Sequence, residues 1–149
     1  MVKSEFKKVT KEWLLSKDFK KTKDIEYVYP LEKFDICVMF YKGRFSELYG
    51  IEVGFQLKDG PREIDWANME VEIPNEKYWK HLTMADGSTR VVKTNFYYEE
   101  WDKEEYLQAL EEIHKNYIQP YFDHGIEHVK KIAQQVWANP EAIAKVLKM

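Results

Sequence analysis

The segment His124-Gly125-Ile126-Glu127-His128 has the residue types and the spacing of a metal site. It matches the pattern His-x-x-Glu-His, in which two histidines one helical turn apart bind zinc and the glutamate acts as a general base. That geometry requires one continuous helix, whereas Gly125 is typical of a helix boundary. A catalytic site also needs a third ligand, and the one acid after His128 is Glu141, on a helix that we predict to be separate. We therefore keep His124 and His128 as a candidate metal site and favour a non-catalytic interpretation.

A second candidate site combines aromatic rings with arginine in the middle of the chain. Tyrosine and tryptophan beside a guanidinium can line a small-molecule pocket or form a hot spot for a protein partner. The simpler interpretation is that these rings fill the core where the middle loops fold over the sheet. The candidate ligand- or partner-binding residues are Trp66, Trp79, Tyr78, Tyr98, Arg62 and Arg90.

Other patterns that carry chemistry are missing from the sequence or have a structural explanation. The sequence has no glycine-rich phosphate loop, no Gly-x-Ser-x-Gly and no Cys/His metal knuckle. The acids between Glu99 and Glu105 precede a predicted helix, where they offset the helix dipole. The single cysteine, Cys37, excludes an internal disulfide, and its apolar surroundings predict a buried, inert thiol. We therefore predict no catalytic residues and no cofactor.

Composition and charge are those of one globular domain with an uneven charge distribution. The 149 residues form a single predicted domain, residues 1–149, with 15% aromatic residues and a net charge of −3. Residues 1–24 hold eight lysines against four acids, so the rest of the chain is acidic. A basic start could bind nucleic acid or an acidic partner, but a solvated helix face is the simpler explanation. The chain has three arginines and no RNP or helix-turn-helix pattern, so we expect no nucleic-acid binding.

The sequence favours a cytoplasmic protein without a membrane segment. The stretch from Met1 to Lys23 is charged and lacks the apolar region of a signal peptide. No apolar run approaches the roughly 20 residues that a membrane-spanning helix needs. A lone cysteine fits a reducing compartment.

Two long strands between residues 34 and 58 form the predicted centre of the fold. Apolar residues alternate along both strands, and a period of two indicates that one face lies on a core. The residues between them on the first strand are also mostly apolar, so we expect that strand to be central and partly covered on both faces. The alternating residues are Phe34, Ile36, Val38 and Phe40 on the first strand and Ile51, Val53, Phe55 and Leu57 on the second.

Further elements precede and follow this pair. Ser4 could cap a helix that runs to about Ser16, with Phe6, Val9, Trp13 and Leu14 on its apolar face. Residues 25–29, 68–73 and 90–96 have strand character, and residues 78–82 are spaced like a short helical turn or a packed loop.

The last third of the chain is predicted to be helical. Asp102 is a natural N-cap, with Glu105 placed to complete a capping box. Pro120 should end or kink that helix near Gln119. Asn139 followed by proline predicts the start of a last short helix.

This order of elements predicts an α+β fold. We expect a single curved antiparallel sheet of about five strands, with the N-terminal helix and two to three C-terminal helices packed on one face.

Several short stretches together resemble a known family. They are Trp13-Leu14-Leu15, Asp18-Phe19-Lys20-Lys21, Tyr27-Val28-Tyr29, Val53-Gly54-Phe55, Tyr78-Trp79 and the helix around Leu110 and Ile113. In this order they resemble an uncharacterised bacterial α+β domain family whose members sometimes occur near toxin-immunity genes. Where this chain has Asp18, the family usually has glycine. The resemblance implies no catalytic residues.

Three hypotheses for the function follow. The leading one is a non-enzymatic cytoplasmic protein-interaction domain, immunity-like in character, whose acidic body would suit a basic protein partner such as a nuclease toxin. The alternative is a small-ligand-binding domain that uses the aromatic residues with Arg62 or Arg90. The third is a zinc hydrolase that uses His124 and His128.

Overall fold

The described part of the chain forms one antiparallel sheet of seven strands. The computed structural model describes residues 1–58, 67–70, 79–83, 89–136 and 139–149, and the side chains of 1–58, 96–135 and 139–149. The strands are β1 (Lys20–Lys21), β2 (Glu26–Pro30), β3 (Phe34–Lys42), β4 (Tyr49–Leu57), β5 (Ala67–Glu70), β6 (Trp79–Thr83) and β7 (Thr89–Phe96).

The sheet is open, with β1 and β6 at its two ends. The strand order is β1-β2-β3-β4-β7-β6, and every pairing is antiparallel. One edge of β4 pairs with β3 over nine residues. The other edge is shared, because Tyr49 to Ile51 pair with β7 and Glu52 to Phe55 pair with β5.

The helices come before the sheet and after it in sequence. A 3-10 turn, Tyr98–Glu100, leads from β7 to the helical part, and a π-helical segment, His114–Ile118, joins α2 to α3. The helices are α1 (Lys3–Ser16), α2 (Lys103–Ile113), α3 (Gln119–His124), α4 (Ile126–Val136) and α5 (Pro140–Leu147).

One face of the sheet and the helices share a single core. Ile36 pairs with Phe55 and Val38 with Val53, so these side chains point to the same face. They belong to one cluster of buried residues that includes residues of α1, α2, α4 and α5. The opposite face of β3 carries Cys37, which is fully buried. This agrees with the expectation that this strand is partly covered on both faces. The helical members of the cluster include Phe6, Val9, Trp13, Leu14, Tyr106, Leu110, Ile113, Val129, Ile132, Ala133, Ala142 and Val146.

The helix ends follow the local chemistry in most cases. The Asp102 carboxylate accepts from the Glu105 backbone N–H at 2.8 Å, which confirms the predicted cap. Asn139 likewise caps α5 by accepting from Glu141 and Ala142. The prediction that Ser4 caps α1 is wrong, because Val2 occupies that position and makes no side-chain cap.

The α+β class and the single antiparallel sheet are confirmed, whereas the finer description needs correction. About five strands in a curved sheet were expected, whereas the described residues form seven strands in an open sheet. Trp79–Thr83 form strand β6, not a helical turn or loop, and Lys20–Lys21 form an unexpected strand. Two to three C-terminal helices were expected, and the described residues form four, α2 to α5, of which α2 and α3 are joined by the π-helical segment.

Of the two predicted effects of Pro120, an end of the helical run is not observed, whereas an irregularity near Gln119 is present as the π-helical segment His114–Ile118. Proline lacks an N–H and its ring clashes with the carbonyl four residues earlier in an α-helix. The π-helical segment that precedes it widens the turn, and Pro120 then lies in the first turn of α3, where no N–H is required. The chain therefore continues to His124.

None of the helices in the described part of the chain combines the length and the apolar character needed to cross a membrane.

Candidate functional site: a lysine-lined groove

A groove of about 630 Å³ lies between α1 and the strands β1 to β4. Its lining carries six lysines and one aspartate, and all six lysines are exposed. The groove is therefore strongly cationic, although the chain as a whole is acidic. The lining residues are Lys3, Lys7, Lys8, Lys11, Lys21, Asp24, Ile25, Tyr27, Phe40, Tyr41, Lys42 and Tyr49.

One wall of the groove is a row of lysines along α1. Lys3, Lys7 and Lys11 follow one another at intervals of four residues, so they lie on the same side of the helix. The neighbouring side of α1 carries the buried residues Phe6 and Val9, which hold the helix on the sheet. The row is thus presented by a helix whose other face is fixed in the core.

Polar contacts also fix the position of α1. The Thr10 hydroxyl lies 2.6 Å from the Tyr106 hydroxyl of α2, and both residues are fully buried. Trp13 Nε1 donates to Glu111 Oε1 at 2.8 Å, and Lys17 Nζ lies 3.0 Å from the same oxygen. These contacts join α1 to α2, so the lysine row has a defined place relative to the sheet.

The opposite wall is built from strand ends. Lys21 belongs to β1 and pairs with Tyr27 of β2, whereas Lys42 is the last residue of β3 and pairs with Tyr49. Asp24, in the connection from β1 to β2, adds the one negative charge among the described residues of the lining. Antiparallel pairing thus brings lysines that are distant in sequence to the same groove.

The positive charge of the groove is only partly compensated. Glu47 is shared by Lys3 at 3.7 Å and Lys42 at 3.3 Å. No ion pair with any described residue is formed by Lys7, Lys11 or Lys21. Several like charges at one concave surface raise the local potential and attract anions.

The aromatic rings beneath the groove belong to the core. Tyr27 and Tyr49 are buried, and Phe40 is half-buried. Phe40 and Tyr49 stack on each other with centroids 5.2 Å apart. These three rings therefore form an apolar floor of the groove.

The predicted aromatic and arginine site lies largely outside the described residues. Trp66, Tyr78 and Arg62 are outside them, as are the side chains of Trp79 and Arg90. The backbones of these last two belong to β6 and β7, where Trp79 pairs with Thr94 and Arg90 pairs with Leu82.

Tyr98 is the one member of that set whose side chain is described. It is half-buried, with its ring 6.4 Å from that of Phe6 and 5.0 Å from that of Tyr97. This position on the core agrees with the simpler interpretation for Tyr98 alone. The pocket formed with the other residues stays a prediction.

The two histidines of the metal pattern lie on different helices. Gly125, with φ of 55°, separates α3 from α4, so the continuous helix that the zinc pattern requires is not formed. His124 is exposed, whereas His128 is buried. The rings of His128 and Tyr121 meet edge to face, with their centroids 4.4 Å apart. Among the residues that the structure describes, no group of three or more His, Cys, Asp and Glu could hold a metal. The geometry gives no support to a zinc hydrolase.

The environment of His128 disfavours its charged form. Burial lowers the pKa of His128 to about 4, with smaller contributions from the nearby Lys131 and His124. Its Nε2 is buried and has no hydrogen-bond partner in the described structure. His128 is thus a neutral core residue in the neutral pH range.

Cys37 is buried, as predicted. Burial raises the pKa of its thiol, and the carboxylates of Glu26 and Asp35 raise it further. A thiol held in its neutral form is a poor nucleophile, which agrees with a structural role.

The lysine groove itself was not predicted. The basic excess of residues 1–24 was its one signal in the sequence, and we interpreted that excess as a solvated helix face. The spacing along α1 is readable from sequence, but the approach of Lys42 depends on the pairing of β2, β3 and β4.

The chain matches no protein-family model, and comparisons with curated proteins and with solved structures found no match either. The resemblance to a bacterial domain family near toxin-immunity genes therefore stays a prediction.

Proposed function

We propose that this chain is a non-enzymatic protein-interaction domain that binds an acidic segment of a partner protein in the lysine-lined groove. The observation that carries the proposal is the charge of Lys7, Lys11 and Lys21 at one concave surface, where none of the three forms an ion pair with a described residue. Complementary charge at an interface steers association and selects the partner.

The lining favours carboxylates over nucleic acid. The described residues of the lining include no arginine, the residue best suited to bidentate phosphate recognition. Proteins that bind single-stranded nucleic acid combine basic residues with aromatic faces on which bases stack. Three of the four aromatic lining residues are poorly placed for stacking, because Tyr27 and Tyr49 are buried and Phe40 stacks on Tyr49.

The sign of the partner's charge differs from the one expected from composition. The acidic body of the chain suggested a basic partner, whereas the described concave surface is cationic. An immunity-like role would then place this groove against an acidic segment of a toxin.

A small anionic ligand is the second candidate. The volume of about 630 Å³ falls in the range of roughly 300–1,000 Å³ that ligand pockets occupy. The same lysines would bind it, so the two candidates differ in the size of the ligand and not in the site.

The test is a titration of the protein with a fluorescein-labelled polyglutamate peptide, followed by fluorescence anisotropy. We expect the double substitution Lys7→Gln/Lys11→Gln to weaken binding about tenfold, because two partly exposed ion pairs contribute roughly 1 kcal/mol or somewhat more together. Lys115→Gln/Lys148→Gln is the matched control, since both lysines are exposed, lie outside the groove and remove the same charge. Raising the salt concentration should weaken binding in the parent protein more than in the groove variant.

Equal weakening by both double variants would contradict the proposal, as would an absence of binding to polyglutamate. Tighter binding of inorganic phosphate or citrate than of the peptide, with the same loss in Lys7→Gln/Lys11→Gln, would favour the small anionic ligand. Tighter binding of an oligothymidylate would overturn the choice of carboxylates.

A further inference from the structure

We propose that the ligand of the groove is an extended acidic strand with carboxylates at every second residue, lying along Lys3, Lys7 and Lys11. This inference rests on the proposed function and specifies the form of the ligand. It is carried by the spacing of the lysine row, the small cross-section of an extended chain and the distribution of charge along the row.

The spacing of the lysines matches that of an extended chain. Lysines four residues apart on α1 are separated by about 6 Å along the helix axis. Alternate residues of a strand lie on one face and are about 6.6 Å apart. Three carboxylates on one face of a strand therefore span almost the same length as Lys3, Lys7 and Lys11, and flexible lysine side chains absorb the small difference.

A helical ligand fits the row less well. Acids at intervals of four residues on a helix would also repeat every 6 Å or so. A helix with side chains is about 10–12 Å across, whereas neighbouring strands lie only about 4.8 Å apart in a sheet. The narrower extended chain therefore brings its carboxylates to the lysine row with less bulk between the two walls of the groove.

The charges along the row place the strongest contacts of the ligand at Lys7 and Lys11. Lys3 already lies 3.7 Å from Glu47, in a pair whose side chains are about half exposed. Such a pair contributes little and can be exchanged for a ligand carboxylate. Lys7 and Lys11 have no competing carboxylate among the residues described. The central carboxylate of the strand should therefore bind beside Lys7.

The experiment compares peptides of equal composition and different order. An alternating peptide, Glu-Ser-Glu-Ser-Glu, is titrated beside a block peptide, Glu-Glu-Glu-Ser-Ser, both labelled with fluorescein at the N-terminus. We expect the alternating peptide to bind about fivefold more tightly, because all three of its carboxylates reach the row on one face. An alanine-based helical peptide with glutamate at every fourth residue should bind more weakly than the alternating peptide.

A charge exchange tests the register. The variant Lys7→Glu should lose affinity for the alternating peptide and regain it when the central glutamate of the peptide is replaced by lysine. Replacing a terminal glutamate instead should not restore binding. Circular dichroism of Lys7→Glu checks that this exposed substitution leaves the fold intact.

The outcomes separate this inference from the proposed function. If the alternating and block peptides bind equally, and Lys7→Gln/Lys11→Gln weakens both, the groove binds acidic segments but the extended register is wrong. If the helical peptide binds most tightly, the ligand is a helix and the inference of an extended strand is wrong. If no peptide responds to the groove substitutions, the proposed function fails together with this inference.

Discussion

The hydroxyl groups of Thr10 and Tyr106 form a buried hydrogen bond of 2.6 Å between α1 and α2. Thr10 also donates to the Phe6 carbonyl at 2.9 Å, which uses its single proton. Tyr106 must therefore be the donor in the bond between the two hydroxyls. Burial raises the pKa of Tyr106, which keeps that proton in place. The two hydroxyls therefore differ: without this bond, Thr10 keeps its hydrogen bond to Phe6, whereas the buried Tyr106 hydroxyl loses its acceptor.

This inequality predicts a difference between two conservative substitutions. Thr10→Val leaves the Tyr106 hydroxyl buried without its acceptor, which should cost about 1–3 kcal/mol of the free energy of unfolding. Tyr106→Phe leaves Thr10 bonded to Phe6, so it should cost only about 0.5–1.5 kcal/mol. Urea denaturation of both variants measures the difference. A larger loss in Tyr106→Phe would show that the donor assignment is wrong.

The parts of the fold that depend on local chemistry were predicted from the sequence. The apolar face of α1 and the cap at Asp102 follow from spacing and residue type alone. The alternation along β3 and β4 likewise identified the side that faces the core, because a strand has only two faces.

Other parts depend on contacts between distant segments. The strand Lys20–Lys21 has two residues of low strand propensity and exists because it pairs with β2. The π-helical segment before Pro120 resolves a steric conflict that sequence patterns treat as a helix end. The groove needs α1 and four strands together, so the charge of residues 1–24 could indicate a cationic surface but not its shape.

The buried His128 predicts a loss of stability in mild acid. Its pKa in the folded protein is about 4, below the ordinary value of 6.5, so the folded state binds the proton more weakly than the unfolded chain. The contribution of neutral His128 is fully present above pH 6.5 and is lost as the pH falls from 6.5 towards 4. The difference between the two pKa values corresponds to about 3 kcal/mol at most.

Denaturation at several pH values between 4 and 7 checks this prediction. His128→Phe should remove most of the loss in that range, because the ring is kept and the titrating nitrogen is removed. His124→Gln is the matched control, since His124 is exposed, and it should retain most of the loss. Identical pH profiles for the parent protein and His128→Phe would contradict the assignment.

The connection between β3 and β4 predicts a coupling between Gly43 and Ser46. A Cβ at Gly43 would lie 2.5 Å from Ser46 Oγ, which accepts a hydrogen bond from the Leu48 backbone N–H at 3.3 Å. Gly43→Ala therefore forces the serine hydroxyl to rotate away and lose that bond, at a cost of about 1 kcal/mol. In a Ser46→Ala background the nearest side-chain atom is 3.8 Å away, so the same substitution should cost much less.

A double-mutant cycle in urea measures this coupling. Additive effects of Gly43→Ala and Ser46→Ala would show that the close approach does not govern the connection. Because Lys42 and Glu47 lie in or beside this connection and form an ion pair, the cycle should be repeated with the polyglutamate titration. A stability loss without a change in affinity would show that the groove tolerates local change there.

The helix break at Gly125 predicts that a side chain at this position lowers the free energy of unfolding without any steric clash. A Cβ at this position would have no atom within 4 Å, yet φ is 55° and ψ is −130°, a conformation that residues with side chains avoid. Gly125→Ala should therefore destabilise the protein by about 1–3 kcal/mol through backbone strain alone. Urea denaturation measures the loss, and a zinc titration of the same variant adds a second measurement. If Gly125→Ala is neutral and the variant binds zinc, α3 and α4 can join into one helix that carries His124 and His128 on one side, and the break described between them does not govern the metal pattern.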